Sequence, residues 1–361
     1  MTKKETYSIR WSGKNYSLDS FINFLEIELK HINIPDWKKD IYVFALAWLD
    51  HRKSTFEIQT SGSTGKAKTI ILQRDDMIKS AQATGKALGI NKYDTALLCL
   101  PAKYIAGKMM IVRSFVLGLD LYIANPLVDA VKNIPTHINF CALIPLQLQY
   151  ALDQHLQNLL NRIDIIIVGG APVSTSYINS LEALNTQVYA TYGMTETITH
   201  IALKRLNGKE KSDSYKCLDL YEVAKDHRGC LIIKTPEQQW VTNDLVHISS
   251  PTEFNILGRI DFIINSGGLK INPEEIEQKI SQLIQGHFMI SFKKDTALGE
   301  KVILLIEGNK DTFDEEELFK NIRQLLPSNK MPKEIVFVKR LFYTNNHKID
   351  REKNHLAITH K

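Results

Sequence analysis

No apolar run in the chain is long enough to span a membrane, and Met1-Thr2-Lys3-Lys4-Glu5 is no apolar signal core. A cytoplasmic protein without membrane insertion is therefore expected. Cysteine is scarce. Its four positions, Cys99, Cys141, Cys217 and Cys230, lie far apart with no CxxC pair, which excludes a disulfide framework or a thiolate zinc site. Cys99 and Cys141 fall in apolar strand-like runs and read as core thiols. A concentrated basic patch is also missing: the net charge of +5 is spread along the chain, which suits anionic small ligands and argues against nucleic acid. Repeats and low-complexity tracts are absent. What is present is a globular composition, 44% apolar and 24% charged over 361 residues, enough for two or three domains.

The densest local signal is Thr60-Ser61-Gly62-Ser63-Thr64-Gly65-Lys66-Ala67-Lys68, directly after the strand-like run Thr55–Gln59. Glycines bring backbone close to a ligand, successive N–H groups make an anion-sized concavity, and hydroxyls and lysine add donors. The stretch reads as a polyphosphate cradle. It is not a Walker A loop, because only Ser63 and Thr64 separate Gly62 from Gly65-Lys66.

Along the chain, residues 1–54 read as a short lead-in with helical periodicity at Phe21, Phe24, Leu25 and Leu29 and again over 41–49. Asp75-Asp76 can cap a helix ending at Gly89. Strands are expected at 94–100, 119–124, 140–144 and 163–168, with helices over 104–113 and 146–159 and a helix capped by Ser174. The β-branched run 163–168 marks a strand buried on both faces. Strands alternating with helices predict a large α/β domain with a mainly parallel sheet, whose ligands gather at strand C-terminal ends. Loops 60–68, 169–172 and 191–197 each follow such a strand. Beyond residue 198 short strands dominate. A helix starting at Pro273, strands near 288–293, 301–307 and 334–338, and a helix over 313–326 make a small α+β unit. The domains predicted are 1–260 and 261–361.

Together these stretches resemble the acyl-adenylate-forming superfamily of acyl- and aryl-CoA ligases, adenylation domains and luciferases, from about residue 56 to residue 351. The cradle is similar to the family's phosphate loop, with Lys68 matching its last lysine. Tyr192-Gly193-Met194-Thr195-Glu196-Thr197 follows the family's Tyr-Gly-x-Thr-Glu. Trp240-Val241-Thr242-Asn243-Asp244 resembles its Tyr-x-Thr-Gly-Asp, Asn243 standing for a glycine and tolerating positive φ. Gly258-Arg259-Ile260-Asp261 and Ser266–Glu277 match the hinge and the start of the C-terminal domain. Thr344–Arg351 resembles the segment bearing the catalytic lysine, with His347 in place of glycine.

The resemblance implies attack of a carboxylate on the α-phosphate of ATP, then transfer of the acyl group to a thiol, usually that of coenzyme A. It assigns Lys348, Thr195 and Glu196 to catalysis, with Glu196 the Mg²⁺ ligand. ATP or AMP would be held by Thr60, Ser61, Gly62, Ser63, Thr64, Gly65, Lys68, Gly169, Gly170, Ala171, Tyr192, Gly193, Met194, Asp244 and Arg259. Asp261 would be the hinge of a mobile C-terminal domain. A mobile Gly267-Gly268-Leu269-Lys270 loop would serve the thioester step. The trimmed N-terminus, with Pro101–Met110 and Thr197–His200, looks like compact o-succinylbenzoate–CoA ligases of menaquinone synthesis. The second carboxylate of that acid would need Lys108, Arg113 or His200. The competing readings are an adenylation enzyme that loads a carrier protein, a non-catalytic nucleotide-binding scaffold and a P-loop NTPase. A homo-oligomer is left open.

Overall fold

The computed structural model describes residues 8–59, 69–284, 286–310, 313–344 and 349–359. The chain forms two compact units, Met1–Leu220 and Tyr221–Lys361. The first opens with a hairpin, β1 (Ser8–Trp11) and β2 (Lys14–Ser17), then helices α1 (Leu18–Leu29) and α2 (Asp36–Leu49). The periodic residues Phe21 and Leu25 are the buried face of α1. Trp11 of the hairpin meets Phe21 with ring centroids 5.2 Å apart, and Phe21 in turn packs edge-on against Phe115 at 6.1 Å, so the lead-in shares an aromatic core with the rest of the unit.

The unit continues through β3 (Thr55–Gln59), β4 (Thr69–Gln73), α3 (Arg74–Leu88), β5 (Thr95–Leu98), α4 (Ile105–Leu117) and β6 (Asp120–Ile123). Next come β7 (Ile138–Leu143), α5 (Pro145–Asp153), α6 (Gln157–Leu160), β8 (Ile163–Val168), α7 (Thr175–Leu181), β9 (Gln187–Gly193), β10 (His200–Arg205) and β11 (Tyr215–Cys217). The strand order is β11-β10-β9-β8-β7-β5-β6-β1-β2, parallel from β9 to β1. The mainly parallel sheet expected from the alternation is therefore present, and β8 runs between two parallel neighbours as its β-branched sequence requires. Cys99, Cys141, Cys217 and Cys230 are all buried free thiols.

Several expectations change in detail. The strand before the phosphate loop is not in this sheet: β3 and β4 form a separate antiparallel ribbon, with Gln59 opposite Thr69. Gln73 occupies the N-cap position of α3 without a side-chain capping bond, and Asp75 and Asp76 lie in the first turn, where the macrodipole favours them. The helix expected over 146–159 breaks between α5 and α6, where His155 takes φ 54°. Residues 191–193 are not loop but the end of β9.

The second unit begins with an antiparallel meander, β12 (Glu222–Lys225), β13 (Cys230–Lys234), β14 (Gln239–Ser250) and β15 (Glu253–Arg259). A 3₁₀ turn, Ile260–Phe262, leads into β16 (Ile264–Ser266), β17 (Leu269–Ile271), α8 (Pro273–Ile280), β18 (Phe288–Asp295), β19 (Gly299–Glu307), α9 (Glu315–Leu325), β20 (Glu334–Val338) and α10 (Arg351–Thr359). These strands form a second sheet, β17-β16-β19-β18 with β20 beside β19, over a core that includes Ile276, Ile290, Leu304 and Ile322. Asp261 lies in the turn between the two sheets.

Candidate functional site

Two stretches of the first unit meet at the ends of β8 and β9. Gly169 follows β8, and a Cβ there would stand 2.4 Å from Thr191 Oγ1. That hydroxyl donates to the Val168 carbonyl at 3.2 Å. Gly170 takes φ 89°, which a side chain would resist. Gly169-Gly170-Ala171 is thus a ledge of bare backbone beside β9. Gly193 closes β9 under stronger constraint. A Cβ there would lie 2.2 Å from the Thr199 carbonyl oxygen and 2.5 Å from His200 Cα, both backbone atoms.

Past Gly193 the chain makes a 3₁₀ turn, Thr195–Thr197. The buried Thr197 hydroxyl accepts the Met194 N–H at 3.1 Å and shares its proton between the Met194 and Thr199 carbonyls at 3.0 and 2.9 Å. Ile198 then takes φ 70° and ψ −62°, while the Thr199 N–H donates to the Thr197 carbonyl at 2.8 Å. This is a γ-turn of the strained, positive-φ kind, costing on the order of 1–3 kcal/mol at a β-branched residue. The turn leaves Thr195 half-buried and Glu196 exposed. Thr195 and Glu196 are thus presented at the C-terminal end of a parallel strand, as the sequence suggested.

Behind the turn lies a polar cluster with no motif to announce it. Ser80 Oγ of α3 is 2.8 Å from Thr199 Oγ1, and the Thr84 hydroxyl, 3.2 Å from His200 Nε2, donates to the Ser80 carbonyl. Arg113 of α4 is only 2% exposed. It reaches Thr199 Oγ1 at 3.5 Å and Met110 Sδ at 3.8 Å, and its Nε is the one buried side-chain nitrogen or oxygen without a partner among the described residues. Burial pushes its guanidinium down to about 10. Burial, and then the charge of Arg113, hold His200 well below the usual imidazole range.

The His200 shift has a consequence for stability. The folded state keeps this ring neutral, so its contribution is complete above the unfolded value near 6.5 and is lost as pH falls below it. The loss should approach about 1.4 kcal/mol per pH unit. Urea unfolding of the parent and of His200→Gln at pH 7.5 and 5.5 should show their stability difference shift in favour of the variant on acidification. A difference independent of pH would refute it.

Of the three cations proposed for a substrate carboxylate, Arg113 and His200 share this cluster. Lys108 does not. It is half-buried, donates to the Lys103 carbonyl at 3.1 Å and lies 5.6 Å from the Phe44 ring centroid. Burial lowers its ammonium, with Asp40 opposing.

In the second unit, Asp244 and Arg259 stand opposite each other across β14 and β15. Arg259 is 3.3 Å from Asp244 Oδ1 and 2.5 Å from Asp261 Oδ2. Burial disfavours its charge, but the two carboxylates outweigh this and raise it. Asn243 needs no positive φ, contrary to the turn expected there: it lies within β14, donating to Asp261 at 2.9 Å and accepting from Arg228 at 3.2 Å. Arg228, unmarked in the sequence, also donates to the Thr242 carbonyl at 3.1 Å, so the middle of β14, which bears Asp244, is tied by Arg228 as well as by Arg259. Gly267 and Gly268, at φ 57° and 79°, are the two-residue connection of the β16–β17 hairpin, and Lys270 is an exposed residue of β17. These glycines serve a tight turn and not an irregular loop. Arg351 pairs with Glu277 at 2.5 Å, joining the start of α10 to α8.

Thr60, Ser61, Gly62, Ser63, Thr64, Gly65 and Lys68, with Lys348, lie outside the described residues. Among the described residues no group of three His, Cys, Asp or Glu is placed to hold a metal ion. A single exposed carboxylate such as Glu196 suits magnesium, which takes one or two carboxylates and completes its shell with phosphates and water.

A family model described as AMP-binding enzyme matches residues 35–218. The crystal structure of an acyl-CoA synthetase (AMP-forming)/AMP-acid ligase II-like protein from Dyadobacter fermentans is 34% identical, covers 93% of this chain and 98% of its own, and superposes with TM-score 0.62. A 2-succinylbenzoate–CoA ligase of Listeria monocytogenes is 27% identical over 327 residues, 81% of this chain and 68% of the relative. An o-succinylbenzoate coenzyme A synthetase of Bacillus subtilis, solved with ATP and magnesium, shares the fold at TM-score 0.67 and 21% identity, over 82% of this chain and 69% of that one.

Proposed function

The chain belongs to the AMP-binding enzyme family, and from that premise we propose that it is an ATP-dependent acid–CoA ligase whose acid is o-succinylbenzoate. It would form an acyl-adenylate and pyrophosphate, then pass the acyl group to coenzyme A. The observation that carries the reading is the turn after β9, which presents Thr195 and Glu196 at the C-terminal end of the strand whose Thr191 abuts Gly169. A ledge without side chains lets a flat base or ring lie against backbone.

In this scheme Thr195 and the loop residues 60–68 hold phosphate oxygens, and Tyr192, Gly193 and Met194 border the nucleotide. Glu196 holds magnesium, which when bound neutralises phosphate charge. Asp244 takes the ribose hydroxyls. Arg259 orients the Asp244 carboxylate, and Asp261 is the hinge between 1–260 and 261–361. Lys348 bridges the attacking carboxylate and the α-phosphate; the Gly267–Lys270 hairpin attends thioester formation. The second carboxylate of the acid is assigned to the set Lys108, Arg113 and His200, in which Arg113, the most deeply desolvated cation with an unpartnered Nε, gains most from an incoming anion.

Sequence identity to the curated ligases of about a quarter supports the acid assignment. Pyrophosphate exchange across a panel of carboxylic acids tests it: exchange should be fastest with o-succinylbenzoate, and its absence there beside brisk exchange with another acid would sink the choice of substrate. Mass spectrometry of the products should show the acyl-CoA. Free coenzyme A left untouched would point to a carrier-loading enzyme.

A further inference from the structure

Asn243 stands where the related motif has glycine, yet its backbone runs within β14 and makes no use of glycine's freedom. Its side chain joins two groups of opposite charge. The amide oxygen accepts from the Arg228 guanidinium at 3.2 Å, and the amide nitrogen donates to Asp261 Oδ1 at 2.9 Å. Only this orientation serves both partners, because a guanidinium cannot accept and a carboxylate cannot donate. Arg228 is itself fixed in the turn between β12 and β13, donating to Asp226 Oδ2 through Nε at 2.7 Å and to Asp226 Oδ1 through its backbone N–H at 2.8 Å. The other oxygen of Asp261 takes Arg259, at 3.1 and 2.5 Å. Both carboxylate oxygens of the residue in the turn between the two sheets are thus bound to the meander that precedes it.

We infer that Asn243 is a positioning residue: backed by Arg228, it latches the Asp261 carboxylate to β14 and biases the C-terminal domain toward one of the two positions its half-reactions need. The inference rests on the reading of Asp261 as the hinge. Lys348 and the Gly267–Lys270 hairpin both belong to that domain, and each serves a different step at the same nucleotide, so the scheme has the domain turn between the steps. A hinge residue absorbs the turn in its own backbone angles. Its side chain then swings away from fixed partners, and a bond made in one position is lost in the other. A glycine at 243 offers no such bond. One hydrogen bond to a carboxylate that is 39% exposed biases the balance by about threefold to tenfold.

Both steps are measured on the full chain: adenylate formation by pyrophosphate exchange with o-succinylbenzoate, and acyl transfer to coenzyme A from supplied acyl-adenylate. Each rate scales with the population of its own domain position, so Asn243→Ala should change the ratio of the two rates by about threefold to tenfold. Asn243→Gly should change it in the same direction and by a similar factor. Arg228→Gln, which frees the amide from its support, should also move the ratio that way. A merely structural role would slow both steps alike and leave the ratio fixed. The double variant Asn243→Ala/Asp261→Ala should show no more than the shift of Asp261→Ala alone, because the latch acts through that carboxylate. An unchanged ratio in both Asn243 variants, or a further shift in the double variant, would overturn the inference. Asp261→Ala separates this from failure of the underlying reading. If Asp261→Ala shifts the ratio while the Asn243 variants do not, only the latch falls. If Asp261→Ala leaves the ratio at the parent value, the hinge reading falls and the inference with it.

Discussion

Lys348→Ala is expected to lower acyl-adenylate formation by about 10²–10³-fold, the effect of removing one preorganised donor to a developing charge. The first half-reaction brings two anions together, a carboxylate and the α-phosphate, and needs a cation between them. The second half-reaction does not. Thioester formation from supplied acyl-adenylate should therefore survive in the same variant, and equal loss in both steps would remove Lys348 from this role. The nearest described residues on either side are tied by backbone and side-chain contacts. Tyr343 pairs with Ile349 across an isolated bridge. The Asn354 amide donates to the Phe342 and Asp350 carbonyls at 2.9 and 2.8 Å and accepts the Phe342 N–H at 2.9 Å. Arg351, three positions beyond Lys348, is tied to Glu277. Deleting the ammonium should thus leave the supporting structure intact, and the thermal midpoint of the variant should match the parent.

Gly193→Ala should be costly in the other direction. The added Cβ would meet the Thr199 carbonyl oxygen at 2.2 Å and His200 Cα at 2.5 Å, contacts that only movement of β10 against β9 could relieve. Overpacking of this kind costs about 1–3 kcal/mol, and backbone neighbours place this site at the upper end. A fall in the urea midpoint with an unchanged m-value is the expected signature, accompanied by loss of adenylate formation because Thr195 and Glu196 follow directly on the displaced strand end. An unchanged midpoint would show that β10 can yield at no cost. The sequence places Gly193 in a nucleotide-binding motif, where the natural reason for glycine is close approach to a ligand. The structure supplies a different one: two strands of the same sheet approach too closely for a side chain.

That contrast runs through the molecule. Regular elements were largely legible because their signals are local. The run 163–168, β-branched except for Asp164, is β8, although Asp164 is exposed and pairs with His137, and the apolar strand at 334–338 is β20. Gly89 ends α3 in the left-handed conformation expected of it. What went unread depends on partners distant in the chain. Nothing within residues 8–17 reveals that the first strand will pair in parallel with Asp120–Ile123, and Asn243 takes its role from Asp261 and Arg228 rather than from its own φ.

Residue order alone carries the chemistry on offer and the alternation of elements: residue types in motif order, a mainly parallel sheet and a small α+β unit after it. Those follow from side-chain chemistry and from periodicities that neighbouring residues share. What gathers behind the turn bearing Thr195 and Glu196 depends instead on packing between distant segments. Ser80, Arg113 and Thr199 stand up to 119 positions apart, and hydrogen bonds over such separations exist only once packing of α3 and α4 brings the three side chains together. Burial then settles what each can do, leaving His200 neutral and Arg113 charged but short of partners behind a strained turn.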